Sequence, residues 1–289
     1  MKIALYSPWK NAWVPLYREA FQSRGHEFQH SANGAIEGAD VYLHGWADGR
    51  NPVVPGAKNI VFLRRYELYD APWTKTDWAN VSALVCVNDA IADLVRGYFK
   101  EGGIKVPVHV VYNAIDTKDW KFRQRAPNKK VGMACFIHAK KNLPLALQVL
   151  AELPNDYSLH IAGENQDQWV MDYIHTFAAA VRRNVVLYGQ IDYDQMDLWW
   201  DQMGACLSTS YSEGNPNNVI QAMAKGIKPV VHIWPGAMEQ FPEEFLFATA
   251  SEAAHMIQSD AYDSESYRRL AVDRFGLANI ERVVEMALQ

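Results

Sequence analysis

The chain has few cysteines, no cluster of basic residues and no long apolar run, and each shortage excludes something. Only three cysteines occur in 289 residues, Cys86, Cys135 and Cys206. All three lie in short apolar stretches without C-x-x-C spacing, so they read as reduced core residues of a cytoplasmic protein rather than disulfides or zinc ligands. Lys and Arg together number 28 against 33 Asp and Glu, a net charge of −5. Neutralising phosphates takes clustered cations, so nucleic acid is not the expected partner. No run approaches the roughly 18 apolar residues of a spanning helix, and any membrane contact would be peripheral. The opening Met1-Lys2-Ile3-Ala4-Leu5-Tyr6 is too short in apolar residues for a signal peptide and reads as a first strand. Metal motifs are missing too: Asp192-Tyr193-Asp194 has D-x-D spacing but falls at a helix start, where acidic residues are common caps. No metal site is expected.

What the chain does have is alternation. Hydrophobic residues make up 49% and charged residues 21%, as in a soluble globular protein long enough for two small domains. Apolar runs at 2–6, 27–30, 40–44, 59–63, 83–87 and 108–111 read as strands. Helical spacing covers 14–24 and 90–99, the second capped by Asn88 or Asp89. Residues 118–130 are polar, contain Pro127 and read as a linker. Strands then recur at 131–136, 158–162, 185–187, 205–208 and 229–231, with helices at 143–153, 169–181, 195–203, 251–257, 266–275 and 277–288. Repeated βα units predict an α/β protein of two Rossmann-like domains, each a parallel sheet with helices on both faces, about residues 1–117 and 118–275.

One stretch organises the second half. Ala205-Cys206-Leu207-Ser208 is a buried strand, Gly214-Asn215-Pro216-Asn217 is loop and helix-start chemistry, and Val219, Ala222 and Met223 share one helical face before Gly226 ends the helix. The helix start offers unpaired N–H groups and partial positive charge, which suit a phosphate or sugar oxygen. Glu213 stands just before it. By spacing alone, an ordinary βαβ turn with a solvated glutamate accounts for this equally well.

The string Ser212-Glu213-Gly214-Asn215-Pro216, with Ala222-Met223-Ala224-Lys225-Gly226 and Pro229-Val230-Val231, resembles the nucleotide-sugar site of GT-B glycosyltransferases, especially family 4. That family carries two glutamates seven residues apart; here the second is Gln221. The Tyr112-Asn113-Ala114-Ile115-Asp116-Thr117 segment is similar to the family's N-G-V-D-T connection. The resemblance implies the GT-B fold, two Rossmann-like domains facing a central cleft, with the last helix, 277–289, returning to the first. It implies a retaining, metal-independent enzyme that needs no cofactor. Its donor would be a nucleotide-diphosphate sugar, UDP-linked by family frequency, and its acceptor a glycan, lipid-linked sugar or small molecule. On this resemblance Glu213, Lys141 and His138 are the catalytic candidates, Lys141 holding the diphosphate and Glu213 the donor sugar. Lys140, Gly163, Gly189, Ile191, Gly214, Asn215, Pro216, Asn217, Asn218, Val219 and Gln221 would bind the nucleotide-sugar, with Gln221 standing where the family's ribose-binding glutamate would be.

Acceptor candidates come from the loops after the first strands: Lys10 and Asn11, where the family has a Gly-Gly pair, then His44, Trp46 and Arg65. His44 equally reads as a structural hydrogen-bonder, and Arg64, Arg65 and Glu67 as a surface ion-pair cluster. Three further readings stay open, one of them a phosphorylase or epimerase on the same fold. The substitutions at Gln221 and at the first loop suit a degenerate nucleotide-sugar or glycan-binding protein, and tryptophan-bearing loops could stack on a modified nucleic-acid base.

Overall fold

A computed structural model of the chain describes residues 1–8, 13–32, 34–47, 49, 53–70 and 73–289, the side chain of Asp70 excepted. Two compact units are formed, one from Met1–Asp116 and Phe275–Gln289, the other from Thr117–Arg274. Each is built on a six-stranded, wholly parallel sheet.

In the first unit the strands are β1 (Lys2–Tyr6), β2 (Glu27–Ser31), β3 (Val41–His44), β4 (Lys58–Leu63), β5 (Ala83–Cys86) and β6 (Val108–Val110), in the order β2-β1-β3-β4-β5-β6. The central strands are buried on both faces, which is why they read as continuous apolar runs rather than as an alternation. Helix α1 (Trp13–Gln22) covers one face with Val14, Tyr17, Ala20 and Phe21. The terminal helix α11 (Ala278–Leu288) packs beside it, because Ile280, Val283, Val284 and Ala287 recur at the spacing that puts them on one stripe. Burying each of those larger aliphatic side chains contributes about 1.5–3 kcal/mol. Between β4 and β5 lies α2 (Arg65–Asp70), a short helix where the sequence reads as loop. On the other face, α3 (Asp89–Glu101) starts where Asn88 Oδ1 accepts from the Ile91 N–H.

The second unit has β7 (Lys130–Ala134), β8 (Ser158–Ala162), β9 (Asn184–Gly189), β10 (Ala205–Ser208), β11 (Lys228–His232) and β12 (Leu246–Phe247), in the order β12-β11-β10-β7-β8-β9. Its helices are α4 (Leu143–Glu152), α5 (Gln168–Val181), α6 (Met196–Trp200), α7 (Asn217–Ala224), α8 (Ala237–Gln240), α9 (Ala250–Gln258) and α10 (Ser264–Phe275).

Residues 118–130, expected to be a linker, are instead built into this unit. Trp120 is buried, and Arg125 bonds the Lys225 carbonyl (2.8 Å) and the Asp201 carboxylate (2.6 Å). Lys225, at the C-terminus of α7, is fully buried, and its Nζ pairs with Asp197 and, at 3.0 Å, with Asp201. This charge network fixes the far end of α7. Beyond it Gly226 adopts φ +79, where a Cβ would fall 2.8 Å from the Arg123 carbonyl oxygen, so the helix stop is also a close-packing point that only glycine fits.

Candidate active site

In the second sheet the winding reverses between β7 and β10: β8 and β9 extend to one side, β11 and β12 to the other. At such a reversal the connections leave toward opposite faces, and a crevice opens beyond the carboxyl ends of the two strands. The segments that emerge there are residues 135–142, after β7, and residues 209–216, after β10.

Lys141 and Glu213 come from these two segments, 72 positions apart in sequence. They meet with Nζ 2.5 Å from Oε1, and their side chains are 21% and 13% exposed. A charge pair this far from bulk solvent gives up hydration on both partners, so it is weak evidence for stability. Thr209, buried at the end of β10, donates its hydroxyl to the Lys141 carbonyl (2.8 Å), tying one segment to the other. Nothing in the Ser208-Thr209-Ser210 string marks it beforehand. His138 caps the short turn that carries Lys141: its Nδ1 accepts from the Lys140 N–H (3.1 Å), which leaves the ring proton of the neutral imidazole on Nε2. Lys140 is partly exposed on that turn.

Helix α7 begins at Asn217, with Pro216 in the N-cap position. Proline has no side-chain oxygen, so the first turn starts without the usual side-chain cap on its amide groups. Gly214, Asn215 and Pro216 are buried, Asn217 is exposed and Asn218 partly so, while Val219 turns into the core. Gln221 lies one turn further on and is partly exposed. The loop before the helix is held by a residue the sequence did not single out: buried Gln240 of α8 accepts from Asn215 Nδ2 (2.5 Å) and donates to the Gly214 carbonyl (3.0 Å).

Gly163 and Gly189 follow β8 and end β9. A Cβ on Gly163 would lie 1.8 Å from the Cys135 carbonyl oxygen, and its φ is +154. The close approach made possible there is by the chain leaving β7, which is also bonded through the Ile137 N–H to the Glu164 carbonyl (2.8 Å). Gly163 in turn donates its N–H to the Gly189 carbonyl (2.7 Å), so the two glycines and residues 135–137 form one bonded rim. Ile191 is partly exposed just past it.

Residues 128–259, which include this crevice, match the family model of the Glycosyl transferases group 1. The second unit resembles a group 1 glycosyltransferase domain. The fold of the glycosyltransferase as a whole is GT-B. Its structure is similar to HepE of Anabaena, determined with UDP and glucose, at TM-score 0.71 and 15% identity over 100% of this chain and 99% of that one. It is similar to sucrose-phosphate synthase of Thermosynechococcus elongatus at TM-score 0.75 and 13% identity, over 99% and 98%. It is also similar to TarM of S. aureus, determined with UDP, fondaparinux and α-GlcNAc-glycerol, at TM-score 0.71 and 15% identity, over 86% of this chain and 55% of that one. No curated protein matches the sequence significantly.

The first unit of the glycosyltransferase treats its candidate residues differently. Lys10 and Asn11 lie outside the described residues. His44 is buried in β3, its Nε2 donating to Asn59 Oδ1 (3.0 Å), and burial lowers its pKa. Trp46 is partly exposed, with Tyr66 edge-on at 6.2 Å. Arg65 lies over the Tyr69 ring at 5.2 Å, one turn along α2.

Of the expected surface cluster, Arg64 and Arg65 are partly exposed while Glu67 is buried. Arg64 is caged by Trp13, Trp46 and Phe62 and bonds Asn113 Oδ1 at 2.6 Å. Glu67 is fully buried, with Oε1 accepting from the Ala47 N–H (3.1 Å) and Oε2 without a hydrogen-bond partner among the described residues. Burial pushes its pKa up to about 7, against the smaller opposing pull of its hydrogen bonds and of the Arg64 charge. The mismatch has a simple cause: an unseen helical turn, α2, rotates Glu67 inward.

Among the described residues, no group of three or more His, Cys, Asp or Glu side chains is placed to hold a metal ion, and no helix is long and apolar enough to cross a membrane.

Proposed function

We propose that the protein is a retaining, metal-independent glycosyltransferase that takes a UDP-sugar as donor and passes the sugar to a hydroxyl of a sugar-containing or small-molecule acceptor. The observation that carries this reading is the Lys141–Glu213 pair at the sheet's reversal point, beside the start of α7 and within the residues that match the group 1 family. HepE, whose structures hold UDP, glucose and UDP-glucose, supports uridine as the base.

In the proposed reaction the bond between the anomeric carbon and the diphosphate oxygen breaks as a bond to the acceptor oxygen forms. The acceptor's proton passes to the departing diphosphate. Negative charge grows on that leaving group, and the stabilising groups are the Lys141 ammonium and the first-turn amides of α7, both in place before the reaction begins. Glu213 accepts hydrogen bonds from the donor sugar's hydroxyls and offsets the positive charge that develops on the ring. His138 Nε2–H and Lys140 supply further donors to the diphosphate. Gln221 binds the ribose with a neutral amide, and residues 163, 189 and 191 line the base. The second unit, residues 117–274, is the donor domain; the first, with Trp46 and Arg65, serves the acceptor. Three free thiols accord with a cytoplasmic setting.

The test is UDP release from UDP-glucose and other sugar nucleotides, with and without added acceptor glycans, in the full chain. Lys141→Ala and Glu213→Ala should each lower the rate at least about tenfold, about 1.4 kcal/mol of transition-state stabilisation. Rates unchanged in both variants would remove the pair from the mechanism. Donor binding with no turnover under any condition would favour a binding protein.

A further inference from the structure

Gln240 is fully buried, yet every hydrogen-bonding group of its side chain is used, and used on backbone or on the donor loop. Its Oε1 accepts from Asn215 Nδ2 at 2.5 Å. Its Nε2 donates at 3.0 Å to the Gly214 carbonyl and at 3.0 Å to the Gly236 carbonyl. One amide thus spans the segment after β10 and the segment after β11. The base it works from is itself fixed: Arg274 Nη1 donates to the Gln240 carbonyl (2.8 Å) and to the Glu239 carbonyl (2.9 Å).

The consequence falls on the peptide unit next to Glu213. A planar trans peptide points its C=O and its N–H in opposite directions. Holding the Gly214 carbonyl toward Gln240 therefore turns the N–H of Asn215 away from it, and fixes the exit direction of the chain that carries Glu213. A glycine at 214 leaves this peptide free to rotate in the absence of a clamp. Lys141, by contrast, is held by its own turn and by Thr209, with no bond to Gln240.

We propose that Gln240 is a positioning residue for residues 213–215, and that it governs recognition of the donor's sugar rather than of its nucleotide. This rests on the donor-site reading above. A purely structural amide would affect both halves of the ligand alike; a clamp on the Glu213 loop affects the sugar half.

The experiment uses the full chain, UDP and UDP-glucose as probes, calorimetry for affinity and UDP release for turnover. Gln240→Met keeps length and removes all three bonds; Gln240→Glu keeps an acceptor for Asn215 and, when ionised, has no proton for Gly214. Both variants should bind UDP within about threefold of the unchanged protein, bind UDP-glucose at least about tenfold more weakly, and release UDP more than about tenfold more slowly. Parallel loss of both affinities together with a lowered melting temperature would overturn the proposal, as would an unchanged UDP-glucose affinity. Should Gln240→Met not fold, Gln240→Glu decides by the same ratio. If the unchanged protein binds neither UDP nor UDP-glucose, the donor-site reading fails, a result distinct from a ratio that does not move.

Discussion

Replacing Glu213 by Gln should move nucleotide binding and turnover in opposite directions. In the free protein the Glu213 carboxylate lies 2.5 Å from the Lys141 ammonium, so an arriving diphosphate must compete for that cation and approach a fixed negative charge. At a separation of about 7 Å and an effective dielectric constant of about 40, each phosphate charge is repelled by roughly 1 kcal/mol. Gln keeps the shape and removes that repulsion. After solvent screening a net gain of about 1 kcal/mol remains, so UDP should bind about fivefold tighter. Turnover of UDP-glucose should nevertheless fall at least about tenfold, because the charge that offsets the developing cation is gone. Lys141→Met should weaken UDP and turnover together. Calorimetry with UDP at low and moderate salt, beside a UDP-release assay, reads both quantities. Weaker UDP binding in Glu213→Gln, or an undiminished rate, would refute the reasoning.

Three further outcomes follow from the fold. Lys225→Met should lower unfolding free energy by about 2–4 kcal/mol in chemical denaturation, since Asp197 and Asp201 lose a fully buried partner while Arg125 still holds Asp201; a change under 1 kcal/mol would show the network to be dispensable. Gly163→Ala should lose most of its folded yield, because its methyl would sit 1.8 Å from the Cys135 carbonyl oxygen and force residues 135–137 apart from the rim; a normal melting curve would contradict this. For Glu67 the sign is that of a raised carboxyl pKa. Its contribution is fully present below the unfolded value near 4.5 and is lost as pH rises through about 7. Glu67→Gln should therefore match the unchanged protein near pH 4 and gain up to about 3 kcal/mol on it by pH 8, read from denaturant midpoints at each pH.

Strand positions and the long helices were legible because parallel strands buried on both faces leave continuous apolar runs and the helices leave 3.6-residue stripes, as in α11. The meeting of Lys141 and Glu213 was legible only through resemblance to a family: 72 residues separate them, and nothing local encodes which strands become neighbours. What stayed hidden depends on tertiary packing. Residues 118–130 are polar and proline-bearing, yet Trp120 and Arg125 are drawn into the second unit by a charge network assembled from α6 and the end of α7. Glu67 sits in a short polar segment that reads as loop and folds as helix. Gln240 has no motif at all; its role comes from the carbonyls that surround it.

In the proposed reaction an activated sugar is held in the second unit by Lys141, Glu213 and the start of α7. A crystal structure of the chain with UDP should show this arrangement, with the β-phosphate within about 3 Å of Lys141 Nζ and of first-turn amides of α7. UDP bound away from residues 138–141 and 213–219 would contradict it.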